Sequence, residues 1–319
     1  MFANEVWPTL NVKAATSKAE MDEHHVPTLA PSLVWAEITS FIKGSAEALR
    51  SEDGACQLSL DAYKEIGRKM SPNYREVRPV IYELWKQYED AKNAMHAYDA
   101  CDVVAHVYKR VVEGGMREHA TRVHSGYVDE VQDFTSGELL LLLKTVEDPN
   151  SLFLTGDTAQ TIARGLSFRF EEITTIFHKL AEENYVGAHG AAPSVIKKPE
   201  SGSGHGGVDK LVMNYRTHSG ILDVANLFVS ILCKFFPHSI DKLPPDRGIF
   251  RGPRPWLLGA TTFEDLQMLL VGTTRRDAEI EFGAQQCVIV RDKAAQRRLE
   301  HQQPGIGLVC TVFETKGLE

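Results

Sequence analysis

Tyr127-Val128-Asp129-Glu130-Val131-Gln132-Asp133 sets two adjacent carboxylates at the end of a β-like run. The residues around it decide the fold. Residues 123–128 and 151–155 read as short strands, and 138–146 and 170–180 as the helices that alternate with them. Such alternation predicts α/β units on a parallel sheet. Thr135-x-x-Glu138 ahead of the apolar run 139–143 has the form of a capping box, which marks the start of a helix. Side chains at the C-terminal end of a parallel strand reach the crevice above the sheet. Asp129 there could hold Mg²⁺, which prefers hard oxygen ligands. Glu130 could orient or deprotonate a water for attack on a γ-phosphate. Taken alone, the pair reads as an acidic loop opening a helix, where the helix dipole favours carboxylates.

Working outward, Leu154-Thr155-Gly156-Asp157-Thr158-Ala159-Gln160 is a second strand ending in Gly-Asp. The Gln160 amide can bond a phosphate oxygen and a water together. Further on, Met213-Asn214-Tyr215-Arg216-Thr217-His218 places an arginine just before a helix whose face carries Ile221, Val224, Phe228, Ile231 and Phe235. The planar guanidinium of Arg216 could complete a phosphate site across a cleft. The chain closes with a strand at 308–312 followed by Thr315-Lys316-Gly317-Leu318-Glu319.

The remaining segments set the organisation. Apolar residues recur at helical spacing from 33 to about 116, as in Ile81, Leu84, Trp85 and Tyr88. Residues 1–30 lack a period and read as a loose lead-in. Residues 187–207, rich in Gly, Ser, Ala and Pro, read as a linker or flexible loop. The division expected is a mostly helical insertion at 1–116, part of a first α/β domain at 117–186, and a second at 208–319. In that second domain 287–290 is a strand and Asp292 a helix N-cap.

Composition narrows the function classes. The 319 residues carry 35 Lys and Arg against 43 Asp and Glu, a formal net charge of −8, which excludes a generic basic nucleic-acid coat. A local basic groove stays compatible with it. The 43% hydrophobic and 24% charged content is that of a folded globular chain. Five scattered cysteines without a CxxC pair point to a reducing compartment, so nucleus or cytoplasm is expected. No apolar run approaches the roughly 18 residues of a membrane span.

Four strings in this order resemble the UvrD/Rep-like helicases of superfamily one: Asp129-Glu130-x-Gln132-Asp133, Gly156-Asp157-x-x-Gln160, Asn214-Tyr215-Arg216 and Lys316-Gly317-Leu318-Glu319. The acidic segment Tyr98-Asp99-Ala100-Cys101-Asp102 is a looser match. The stretch from Gly156 to Ile162, followed by Phe168-Arg169-Phe170, most resembles the helicase-like region of large TPR and ankyrin repeat-containing proteins. The resemblance implies P-loop NTPase (RecA-like) domains with parallel sheets and a helical N-terminal insertion. It implies ATP and Mg²⁺ as cofactors, with Asp129 on the metal and Glu130 activating water. Gln160 would contact the γ-phosphate, Arg216 act as an arginine finger, Lys316 lie near the inter-domain cleft and Glu319 near the ribose. It implies single-stranded nucleic acid as a partner and an ATP-dependent helicase or nucleic-acid-stimulated ATPase as the function. The departures matter too. No GxxxxGK[ST] phosphate loop occurs, Ala163 stands where the family has an aromatic, and Phe313 where it has a histidine. On these grounds a chain incomplete at both ends is expected, part of a larger polypeptide. The alternative function is a non-catalytic scaffold or interaction module of a larger repeat protein, derived from a nucleotide site.

Overall fold

The computed structural model describes residues 2–19, 29–70, 74–114, 123–161, 169–182, 209–237, 240–255, 257, 287–302 and 308–316. The chain divides into two compact units, Met1–Phe250 and Arg251–Glu319.

Helices dominate the first unit. They are α1 (Val12–Lys18), α2 (Pro31–Glu37), α3 (Ala46–Leu49), α4 (Leu60–Met70), α5 (Arg78–Ala94) and α6 (Ala100–Gly114). Prolines at the first turns of α2 and α5 cost nothing, because those N–H groups have no partner inside a helix. Val80, Ile81, Leu84, Trp85 and Tyr88 of α5 are buried at helical spacing against Val34 and Ile38. Residues 2–19, expected as part of a loose lead-in, pack on this core through Phe2, Val6 and Ala15. Phe2 stacks on Trp35 with ring centroids 4.8 Å apart and meets Tyr88 edge-on at 5.6 Å. Aromatic contact made across the fold, not local periodicity, orders these residues.

A second core lies beyond it. The first unit continues with β1 (Gly126–Val128), α7 (Ser136–Thr145), β2 (Leu152–Leu154), α8 (Phe170–Glu182), β3 (Met213–Asn214), α9 (Ser219–Phe235) and β4 (Arg247–Gly248). Leu139, Leu140 and Leu143 of α7 pack with Ile173, Ile176 and Leu180 of α8. The Thr135–Glu138 capping box is present and starts α7. Tyr108 of α6 and Leu49 of α3 reach into the same core.

Two features form the seam between the cores. The Gly137 N–H donates to the Gly44 carbonyl at 2.8 Å, and a Cβ on Gly137 would lie 2.8 Å from that oxygen, so only glycine allows the approach. Next to it, the buried Lys43 ammonium donates to Asp99 at 2.5 Å, Asp102 at 2.7 Å and Glu89 at 2.9 Å. Lys92, also buried, reaches Asp102 at 2.6 Å and Glu89 at 2.8 Å, while the Tyr88 hydroxyl donates to Asp99 at 2.8 Å. Asp99 and Asp102 each accept the other's backbone N–H at 2.9 Å, capping α6. Burial opposes the Lys43 charge, but Asp99 and Asp102 outweigh it and raise the lysine's pKa. Burial likewise opposes the Asp102 charge, and hydrogen bonds from Lys43 and Lys92 overcome it and bring the carboxyl to about 2.

The expected RecA-like architecture is not what forms. The described strands make three separate two-stranded parallel ladders, β1–β2, β3–β4 and, in the second unit, β5 (Cys287–Val290) with β6 (Leu308–Thr311). Each strand has two to four residues. Parallel sheets of α/β proteins are covered on both faces. Here Tyr127 of β1 is 81% exposed and Phe153 of β2 is 61% exposed, so one face of that ladder lies open. The chain is a mostly helical protein carrying small parallel ladders, and the P-loop NTPase reading is corrected accordingly. The second unit adds α10 (Lys293–Gln302), capped by Asp292, whose carboxylate accepts the Ala295 N–H at 2.8 Å, and the short α11 (Val312–Thr315). Among the described residues no helix is long and apolar enough to cross a membrane.

Removing a partner from a buried charge cluster leaves the remaining charges uncompensated. Lys43→Met is therefore expected to lower the unfolding free energy by about 3 kcal/mol in urea denaturation. Lys86→Ala, at an exposed i, i+3 pair with Glu83, is expected to cost under about 1 kcal/mol. The depressed Asp99 and Asp102 carboxyls stabilise the fold above their ordinary pKa of about 3.9. That contribution is lost as the pH falls from about 4 toward about 2. The raised Lys43 ammonium is fully charged across that window, so it adds no slope there. Acid denaturation of Lys43→Met is expected at higher pH than that of the parent.

Candidate functional site

The candidate site grows out of the β1–β2 ladder. Tyr127 pairs with Phe153 and Val128 with Leu154, so both strands end at one level. The pairing then extends past the strands: Thr155 N–H donates to the Val128 carbonyl at 2.8 Å, and Val131 N–H to the Thr155 carbonyl at 2.9 Å. Between these bonds the chain turns sharply. Glu130 sits in the left-handed region at φ 53°, opening the single 3₁₀ turn Val131–Asp133.

The turn puts Asp129 outside and Gln132 inside. Asp129 is exposed, and its Oδ1 accepts the Thr155 hydroxyl at 2.5 Å and the Glu130 N–H at 2.9 Å. The Thr155 hydrogen bond, then the Glu130 N–H and the positive charge of Arg216, hold the Asp129 carboxyl below the usual range. Gln132 is fully buried. Its Nε2 donates to Glu130 Oε2, and its Oε1 accepts the Asp157 N–H at 3.1 Å. A Cβ on Gly156 would fall 2.5 Å from that Oε1, so the glycine makes room for the amide. Asp157 caps the next 3₁₀ turn, Thr158–Gln160, through Ala159 N–H at 2.9 Å. The exposed Gln160 donates to Asp157 Oδ2 at 2.8 Å.

The structure thus gathers Asp129, Glu130 and Gln160 at one end of one ladder. Arg216 follows β3 in the same compact unit, on a turn where Asn214 Oδ1 accepts the N–H groups of Arg216 at 3.0 Å and Thr217 at 2.8 Å. Lys316 lies in the second unit, half-buried just after α11. Glu319, Ala163 and Phe168 fall outside the described residues, as does the whole of the expected linker at 187–207. Two residues that organise the group were given no role by the sequence: Gln132, the buried amide joining both turns, and Thr155, the donor to Asp129. The signal available was their position, since both stand inside the quoted strings, Gln132 next to Asp133 and Thr155 two residues before Asp157.

The chemistry this arrangement supports is limited. The Asp129, Glu130 and Asp157 carboxylates each accept at least one hydrogen bond from a neighbour in the group. Among the described residues, the geometric grouping of carboxylates that could share a cation is Glu89, Asp99 and Asp102, and Lys43 and Lys92 already bind it.

No family model matches the chain, and no solved structure matches it. Among curated proteins, "TPR and ankyrin repeat-containing protein 1" of Homo sapiens is 39% identical over 319 residues, covering 100% of this chain and 10% of the relative. The chain therefore spans about a tenth of the length of the curated relative it matches. The repeat-protein side of the resemblance rests on that identity, and none of the comparisons supplies support for the UvrD/Rep-like side.

If Thr155 is the main cause of the low Asp129 pKa, Thr155→Val should raise it toward the ordinary carboxylate value in a ¹³C carboxyl NMR titration. Arg216→Ala should move it the same way by less. An Asp129 titration unchanged by Thr155→Val would contradict the assignment.

Proposed function

We propose that this chain is a helical scaffold or interaction module within a larger repeat-containing polypeptide. The observation that carries the reading is 39% identity to such a protein along every residue of the chain, over only a tenth of that protein's length. The local chemistry supports it. Gln132 is buried with both ends of its amide bonded, and it ties the turn after β1 to the turn after β2. Buried amides of this kind fix one arrangement of the backbone because any other leaves them unpaired. On this reading Asp129, Glu130, Asp157 and Gln160 brace the ladder end, and the helical body presents surfaces for other proteins.

A second reading keeps an ATP-dependent helicase or nucleic-acid-stimulated ATPase, with ATP, Mg²⁺ and single-stranded nucleic acid. What favours it is the Arg216 charge that helps depress Asp129. The residues present do not fit a nucleoside triphosphate by themselves. A triphosphate is cradled by the N–H groups and lysine of a glycine loop, and the 319 residues hold no GxxxxGK[ST]. Asp129 Oδ1 already accepts two hydrogen bonds. Lys316 and Glu319 are candidates by resemblance alone.

Phosphate release from Mg·ATP, with and without single-stranded DNA or RNA, separates the readings. The expected result for the 319-residue chain is a rate at the buffer background, unchanged by nucleic acid and by Glu130→Gln. Turnover well above background that Glu130→Gln removes would overturn the scaffold reading.

A further inference from the structure

The helix α9 carries apolar residues on two sides, one buried or half-buried and the other exposed. Inward, Leu222, Asn226, Val229 and Cys233 are buried or half-buried, at spacings of four, three and four residues. Asn226 fixes this side by donating to the Asp246 carbonyl at 2.9 Å and accepting the Asp246 N–H at 3.0 Å. Outward, Ile221, Val224, Phe228, Ile231 and Phe235 are all exposed, the two phenylalanines by 63% and 66%. Their spacings run three, four, three and four, which is the seam of a two-helix coiled coil. Leu227 and Leu232 flank the seam and are exposed as well. Soluble monomers rarely leave more than a few hundred Å² of contiguous apolar surface open.

From this we infer that the outer face of α9 is a self-association surface, and that its occupant is the same face of a second copy of this chain, lying antiparallel. The proposal deepens the interaction-module reading and rests on it. Three observations select this occupant. First, the heptad seam is complementary to itself, as a two-fold interface requires. Second, the area suits a dimer. At typical side-chain areas, the seam with Leu227, Leu232 and Phe236 exposes roughly 900 Å². A standard interface buries about 800 Å² per partner. Third, the charges agree with an antiparallel arrangement centred on Phe228. That arrangement sets Ile221 against Phe235 of the second copy. It also brings Asp223, near the start of α9, level with Lys234 near the end of the other helix, twice by symmetry. Opposed helix dipoles favour the same direction. The rim pairs add little energy and fix orientation, while the phenylalanines supply most of the binding.

The test is sedimentation velocity on the whole 319-residue chain from about 1 to about 100 µM. A dimer fraction that grows with concentration is expected. Phe228→Glu changes an exposed side chain, so it should leave the helical circular dichroism unaltered and weaken dimerisation about 30-fold or more. Asp223→Lys should weaken it about two- to fivefold, and adding Lys234→Asp should restore it. A chain monomeric throughout the range overturns the proposal, and so does a dimer indifferent to Phe228→Glu. Failure of the double charge swap to restore affinity overturns the antiparallel arrangement. A monomer whose α9 phenylalanines resist hydroxyl-radical oxidation would mean that the chain covers the face itself, which also overturns the proposal. None of these outcomes moves phosphate release, whose appearance would count against the interaction-module reading.

Discussion

The fold depends on what happens to Lys43 once it is taken out of water. An ammonium in a protein interior is tolerated only when carboxylates and hydrogen bonds replace its hydration. Asp99, Asp102 and Glu89 do this, and they hold Lys92 at the same time. The carboxylates come from the end of α5 and the start of α6, and Lys43 from the turn after α2. Satisfying the charge therefore fixes three chain segments relative to one another. Those segments are where the core of α2 and α5 meets the core of α7 and α8, with α6 running into the latter through Tyr108.

The same rule governs the candidate site on a smaller scale. The acids at the end of the β1–β2 ladder look like a set waiting for a metal and a phosphate when written as a string. Folded, they are engaged by Thr155, Gln132 and Gln160, all supplied by the two strings themselves. Gln132 matters most because it is buried and uses both ends of its amide. A motif's residues can thus stand in the order of a known chemistry while their hydrogen bonds serve cohesion.

Local signals were legible where local physics decides. The helices between 33 and 116, the Thr135–Glu138 capping box, the Asp292 cap and the strand at 287–290 all followed from spacing and short-range hydrogen bonds. The strand ends after 128 and 154 were placed within a residue or two. What escaped depends on partners distant in sequence. Lys43 lies 46 to 59 residues from its acids, and each of them alone resembles a surface charge. Phe2 joins the core through Trp35 and Tyr88, which no period in 1–30 could announce. The continuous parallel sheet expected from alternation and from the resemblance does not form, and the described strands, of two to four residues, pair in twos. At the site, Asp129, Glu130 and Gln160 were visible as chemistry. The organising roles of Thr155 and Gln132 were not, because nothing in a string tells which polar side chain will face inward.

Amide hydrogen exchange at residues 129–133 and 155–160, compared with and without saturating Mg·ATP, tests the central claim most directly. If these residues form a self-satisfied brace, their protection is set by the bonds from Thr155 to Val128 and from Val131 to Thr155, and it stays the same in both conditions. A marked gain of protection in these two stretches on adding Mg·ATP would place a nucleotide against them and contradict the account.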